Sequence, residues 1–91
     1  MSTISISRPH SLGLDGARCA ADDVADQLRR EFGVTTRRDG DTVWVEGRGV
    51  TGRLDATADR VDVHARLGLM ARPFRNLLRR EIETELDRLT S

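Results

Sequence analysis

Lysine and tyrosine are missing from this chain, and cysteine, proline and aromatic residues are scarce. All fifteen basic side chains are Arg, so Schiff-base and lysine-nucleophile chemistry are excluded. A single cysteine, Cys19, cannot close an intrachain disulfide, and nothing in the chain points to an oxidising compartment. Aromatics make up 3% of the residues, too few to stack a run of bases. An excess of charge of one sign is also missing. Fifteen basic and fifteen acidic groups cancel, which removes the electrostatic signature of a general nucleic-acid binder, and no nucleic-acid partner is expected. No apolar run approaches the ~20 residues of a membrane-spanning helix. The opening Met1–Ile6 has neither a basic stretch nor a long apolar core, so no signal peptide is expected and the expected location is the cytoplasm.

What is present is enough for one domain over residues 1–91. A chain this short buries only about 60% of the surface its unfolded form exposes. It can hold one modest core but no roomy cofactor cavity, so no cofactor is expected. Thr3 to Ser7 alternates, with Ile4 and Ile6 on one face, and predicts a short strand that Pro9 ends. Ser11 or Gly13 can cap the following helix. Leu14 to Phe32 is the clearest element: Leu14, Ala17, Ala21, Val24, Leu28 and Phe32 fall within roughly 80° of the helical wheel, and Gly33 supplies the stop.

Val34 to Arg38 and Thr42 to Glu46 predict a hairpin about the turn signal Asp39-Gly40. Gly47-Arg48-Gly49 turns the chain again. Val50, Gly52, Leu54 and Ala56 share one strand face, as do Val61, Val63, Ala65 and Leu67 on the next strand, while Asp62, His64 and Arg66 share the opposite face. One apolar and one polar face is the pattern of an antiparallel sheet covered on one side. A second helix begins near Pro73, with Phe74, Leu78, Ile82, Leu86 and Leu89 as its stripe. The expected fold is α+β: a single antiparallel sheet of about five strands in the order 2-3-4-5-1, with two helices packed on one face and elements running β-α-β-β-β-β-α.

Catalytic and metal chemistry find little support. Cys19 lies at about 175° from the centre of the helix stripe, among Asp neighbours that disfavour a thiolate. His10 sits at the strand-to-helix turn, where it can cap or bind backbone. His64 belongs to the polar sheet face. These residues have no metal-ligand spacing, and no nucleophile, base and orienting group occur together in the sequence. Neither a metal nor an enzymatic activity is expected. Gly49-Val50-Thr51-Gly52 matches a nucleic-acid-clamping GxxG only superficially, since it enters a strand, and turn glycines are the simpler account.

Arg66 to Arg80 is more informative. It carries five Arg and no acid, and the chain then turns acidic at Glu81, Glu83, Glu85 and Asp87. Leu69, Met70, Arg72, Arg75, Leu77, Arg79 and Arg80 therefore form a candidate interaction surface, apolar beside cationic. Leu77 lies about 120° off the helix stripe, which does not account for it. The competing account is structural: Leu69 and Met70 lid the core, and Arg79 and Arg80 pair with Glu83 and Glu85. Trp44, with Thr42 and Glu46, is expected on the polar sheet face near Arg53, His64 and Arg66. There it is either covered by Arg stems or used as a contact, and a homodimer through Trp44 is expected.

Several segments together carry a resemblance: Ser7-Arg8-Pro9-His10-Ser11-Leu12-Gly13-Leu14, Phe32-Gly33, Asp39-Gly40-Asp41, Gly49-Val50-Thr51-Gly52, Leu67-Gly68-Leu69 and Arg72-Pro73-Phe74-Arg75. In this order and spacing, from about Ile4 to Leu89, the chain resembles the polyhydroxyalkanoic acid system proteins. The resemblance implies a small bacterial accessory protein of polyhydroxyalkanoate storage, with a storage granule or a granule-associated protein as partner and no catalytic residues to carry over. By analogy of element order alone, the chain is also similar to START-like domains, which implies a small-ligand or protein-interaction module without granule contact.

Overall fold

The computed structural model describes residues 2–90. Five strands, β1 (Ser2–Pro9), β2 (Thr35–Asp39), β3 (Thr42–Gly47), β4 (Val50–Ala56) and β5 (Arg60–Leu67), form one sheet in the order β1-β5-β4-β3-β2, antiparallel throughout. Helix α1 (Gly13–Phe32) joins the two edge strands and α2 (Arg75–Thr90) closes the chain. The α+β class, element order and strand order are those expected from the sequence. Crossing from one sheet edge to the other spans four strand spacings, ~19 Å, which a 20-residue helix of ~30 Å covers.

Both helices lie on the apolar sheet face. Along α1 the buried residues are Ala17, Ala20, Ala21, Val24, Ala25 and Leu28. Its alanines let the backbone approach the sheet closely, so Ala20 and Ala25 widen the expected stripe. Facing them are Val43, Val45, Leu54, Val61, Val63 and Leu67, with Ile4, Leu78, Ile82 and Leu86 completing the core at the β1 side. Gly33 adopts φ 69° and its N–H bonds Arg29 O, so it terminates α1 as expected.

Several boundaries differ from the expectation, each for a local reason. The first strand does not stop before Pro9 but pairs through it, Pro9 opposite Arg60. His10 N donates to Asp59 O at 2.9 Å, so by alternation the Pro9 nitrogen lies on the outer side of an edge strand, where no N–H is needed. Neither Ser11 nor Gly13 caps α1: the N-cap position is Leu12, whose N–H donates to His10 Nδ1 at 3.0 Å. The first hairpin turns at Gly40-Asp41, one residue later than Asp39-Gly40, with positive φ at Gly40 alone. The second turns at Arg48-Gly49 with φ 56° and 79°, as a two-residue type I′ loop requires.

Gly49 is thus a turn glycine, but Gly52 is not. It pairs with Ala65 in mid-strand, and a Cβ there would lie 2.5 Å from His64 O. Close approach of neighbouring backbone is what demands glycine at this position.

Candidate functional site

The end of the molecule where β5 hands over to α2 is built around a tight turn. Gly68 N donates to Gly49 O at 2.8 Å, tying the turn to the β3–β4 loop, and Gly68 O accepts from Ala71 N and Arg72 N, both at 3.1 Å. Leu67 and Ala71 are buried on either side, at 0% and 5% exposure. The residues between them are therefore pushed outward: Leu69 is 78% and Met70 85% exposed. They do not lid the core.

A 3-10 turn over Arg72–Phe74, with Pro73 in its first positions, then leads into α2. At about three residues per turn it breaks phase with the α-helix that follows. Phe74, expected in the helix stripe, is consequently 53% exposed, whereas Leu78, Ile82 and Leu86 are buried and Leu89 packs at the core margin. Leu77, off the stripe, is 45% exposed. Four of the six exposed large apolar side chains among the described residues thus lie between Leu69 and Leu77.

Three of the four stand at an open groove of about 650 Å³. Met70, Phe74 and Leu77 form one bank, Phe32 and Gly33 at the end of α1 the other, and Val50, Leu67 and Leu78 the floor. Arg30, Glu31 and Arg48 stand at its rim. The Arg48 guanidinium lies over the last turn of α1, where cations complement the helix dipole. By contrast, the pocket lined by Leu28, Leu54, Leu78 and Ile82 between helices and sheet is about 10 Å³, so the groove opens outside the packed core.

The candidate surface residues divide in two. Arg75 donates to Thr3 O at 3.2 Å and ties α2 to β1, and Arg79 bonds Glu83 at 3.1 Å as a helix-surface pair. Glu85 pairs with Arg88 rather than with Arg80. Leu69, Met70, Arg72, Leu77 and Arg80 are exposed. Sequence reasoning missed Phe32 and Phe74, whose helical spacing assigned them to the core, and the rim residues Arg30 and Arg48, which are distant in sequence. The adjacency of Gly49 and Gly68 that brings Arg48 close has no local signature.

The outer sheet face is assembled by strand register into three rows. Thr35, Glu46, Thr51, Arg66 and Thr3 form the first; Arg37, Trp44, Arg53, His64 and Ser5 the second; Asp39, Thr42, Asp55, Asp62 and Ser7 the third. Trp44 is 39% exposed, between Arg37 and Arg53 and flanked by shallow hollows of about 340 and 270 Å³. Arg53 directs its Nε to Asp55 at 3.0 Å. His64 Nδ1 lies 3.4 Å from Ser5 Oγ. Cys19 is exposed on α1 and His10 stays at the β1–α1 turn, so the structure does not bring His10, Cys19 and His64 together.

Fold and surface define a class: a small α+β domain with one sheet face covered by two helices, a solid core, and an apolar groove at the helix-to-sheet end. Within that class the chain belongs to the family described as "Putative polyhydroxyalkanoic acid system protein", whose match covers residues 4–89. That description names a polyhydroxyalkanoic acid system and no enzymatic reaction. No curated protein and no solved structure matches the chain. Among the described residues no helix is long and apolar enough to cross a membrane.

Proposed function

We propose that this protein is a non-enzymatic accessory factor of polyhydroxyalkanoate storage that attaches reversibly to the polyester granule surface through the groove and its flanking segment. The observation that carries this reading is the concentration of Leu69, Met70, Phe74 and Leu77 in one exposed patch beside Arg30, Arg48, Arg72 and Arg80. A polyester granule presents an apolar bulk behind an amphipathic boundary. Apolar side chains enter it, and guanidinium groups stay in water or meet anionic groups at the boundary. Fully burying a side chain of this size stabilises by about 1.5–3 kcal/mol. Four such groups, already partly covered, make a reversible attachment.

Sedimentation with purified granules tests this. The wild-type chain is expected to pellet with granules. The quadruple variant Leu69→Ser, Met70→Ser, Phe74→Ser, Leu77→Ser should partition roughly tenfold or more less, from the area it removes. Wild-type protein that stays in the supernatant at both low and high salt ends the granule reading.

A second reading is favoured by the concavity of the groove. A volume of about 650 Å³ is large enough for one apolar chain or the apolar face of a partner helix, which is the small-ligand or protein-interaction module without granule contact. It predicts soluble protein that binds a short hydroxyalkanoate oligomer or a synthesis enzyme and leaves bare granules alone.

A further inference from the structure

The outer sheet face, on the side away from the groove, carries charge in an order that selects a partner. Its second row holds Arg37, Arg53 and His64, and its third row holds Asp39, Asp55 and Asp62 on the same three strands, β2, β4 and β5. Rows on one face lie ~7 Å apart, two residues along each strand. The first row adds Glu46 and Arg66, so three Arg and four carboxylates nearly cancel. Such a face does not suit a polyanion, but it suits a surface of the same pattern in opposite register.

We infer that the outer sheet face is a homodimer interface, in which two copies pack face to face about a two-fold axis perpendicular to the strands and midway between the second and third rows. This axis lays each strand over its own copy running the other way. Arg37 then faces Asp39 of the second copy, Arg53 faces Asp55, His64 faces Asp62 and Trp44 faces Thr42, each pair occurring twice. An isologous interface requires this kind of self-complementarity.

The alternative axes are worse. An axis along the strands lays the acidic row on itself. One through the second row puts Arg37 on Arg37. One between the first and second rows puts Arg37 on Thr35 and Arg53 on Thr51 and opposes no unlike charges. Pairing at the sheet edges is blunted by Pro9 on β1 and by Arg37, Arg38 and Asp39 on β2. The chosen axis has one adverse pair, Arg66 of the first row over Arg60, two residues before Asp62 on β5.

Trp44 stands in the middle row with open hollows on either side, so its ring has area left to bury. Five strands and three rows cover about 500 Å² per copy, below the ~800 Å² of a standard stable interface. The dimer is accordingly weak and concentration-dependent.

Sedimentation velocity on the full chain, from micromolar to millimolar concentration, tests the inference. The wild type should move from the mass of one chain toward that of two. Trp44→Ala, Arg37→Asp and Asp39→Arg should each weaken association roughly tenfold, and each should keep the wild-type circular-dichroism melt, since all three side chains are exposed. The double variant Arg37→Asp/Asp39→Arg re-forms the opposed pair across the axis and should recover association. A wild type that keeps the mass of one chain throughout overturns the inference. So does an unchanged association constant in the single variants, or a double variant as weak as either single one.

Discussion

The groove end and the outer sheet face are both exposed and both carry arginines, yet they are built in opposite ways. The groove end draws Met70, Phe74 and Leu77 from a single short stretch, held out of the core by the Gly68 turn and the 3-10 entry to α2. Each row of the sheet face takes one residue from each of five strands, and these charge rows exist only through register. The groove end is apolar with a cationic fringe and suits an apolar surface. The sheet face is polar and balanced and suits a copy of itself. Two surfaces of one small domain can therefore serve two contacts without competing, because they open on opposite sides of the sheet.

That separation can be broken most severely at Gly52. Gly52→Ala forces a Cβ against His64 O, so β4 and β5 must move apart under the sheet face. A loss of about 2–4 kcal/mol is expected in chemical denaturation, and both surfaces should fail together. A loss below 1 kcal/mol would mean the sheet adjusts without cost.

A smaller effect, of opposite sign, is expected at the groove rim. Arg48 holds φ 56°, a left-handed conformation that is adverse for a side chain bearing Cβ. Arg48→Gly should raise stability by about 0.5–1 kcal/mol while removing a rim charge, so a more stable protein should bind granules less well at low salt. An equal or lower melting temperature would show that contacts of the Arg48 side chain over the end of α1 outweigh the strain.

The smallest change in stability is expected at the most exposed apolar residue. Met70→Ser should alter unfolding free energy by less than about 0.5 kcal/mol, while lowering granule partition. A large destabilisation there would assign Met70 to folding rather than to contact, and would erase the contrast drawn between the two surfaces.

The sheet and α1 were legible in the sequence because each residue's environment follows from a fixed period. Val61, Val63, Ala65 and Leu67 alternate with Asp62, His64 and Arg66, and all seven lie on the expected faces. The order of strands followed from the meander, since only β1 had a choice of neighbour. Phe74 was misplaced because helical periodicity was carried back through Pro73, where the chain is in fact a 3-10 turn. Pro9 was misplaced because a proline that breaks a central strand is tolerated on the outer side of an edge.

By itself the sequence determined which residues are apolar at which period, where glycine turns the chain, and hence the α+β class with one covered sheet face. It also determined that the stretch from Arg66 to Arg80 is basic and apolar. Those properties are local, set by dihedral preference and by the alternation of side chains along an element. The tertiary structure alone decided that Phe32 and Arg48 meet Met70 and Phe74 around one groove, that Arg75 is held by Thr3, and that acidic and basic residues align in rows across the sheet. These are contacts between residues far apart in the chain, and they exist only after strand register and helix packing have brought those residues together.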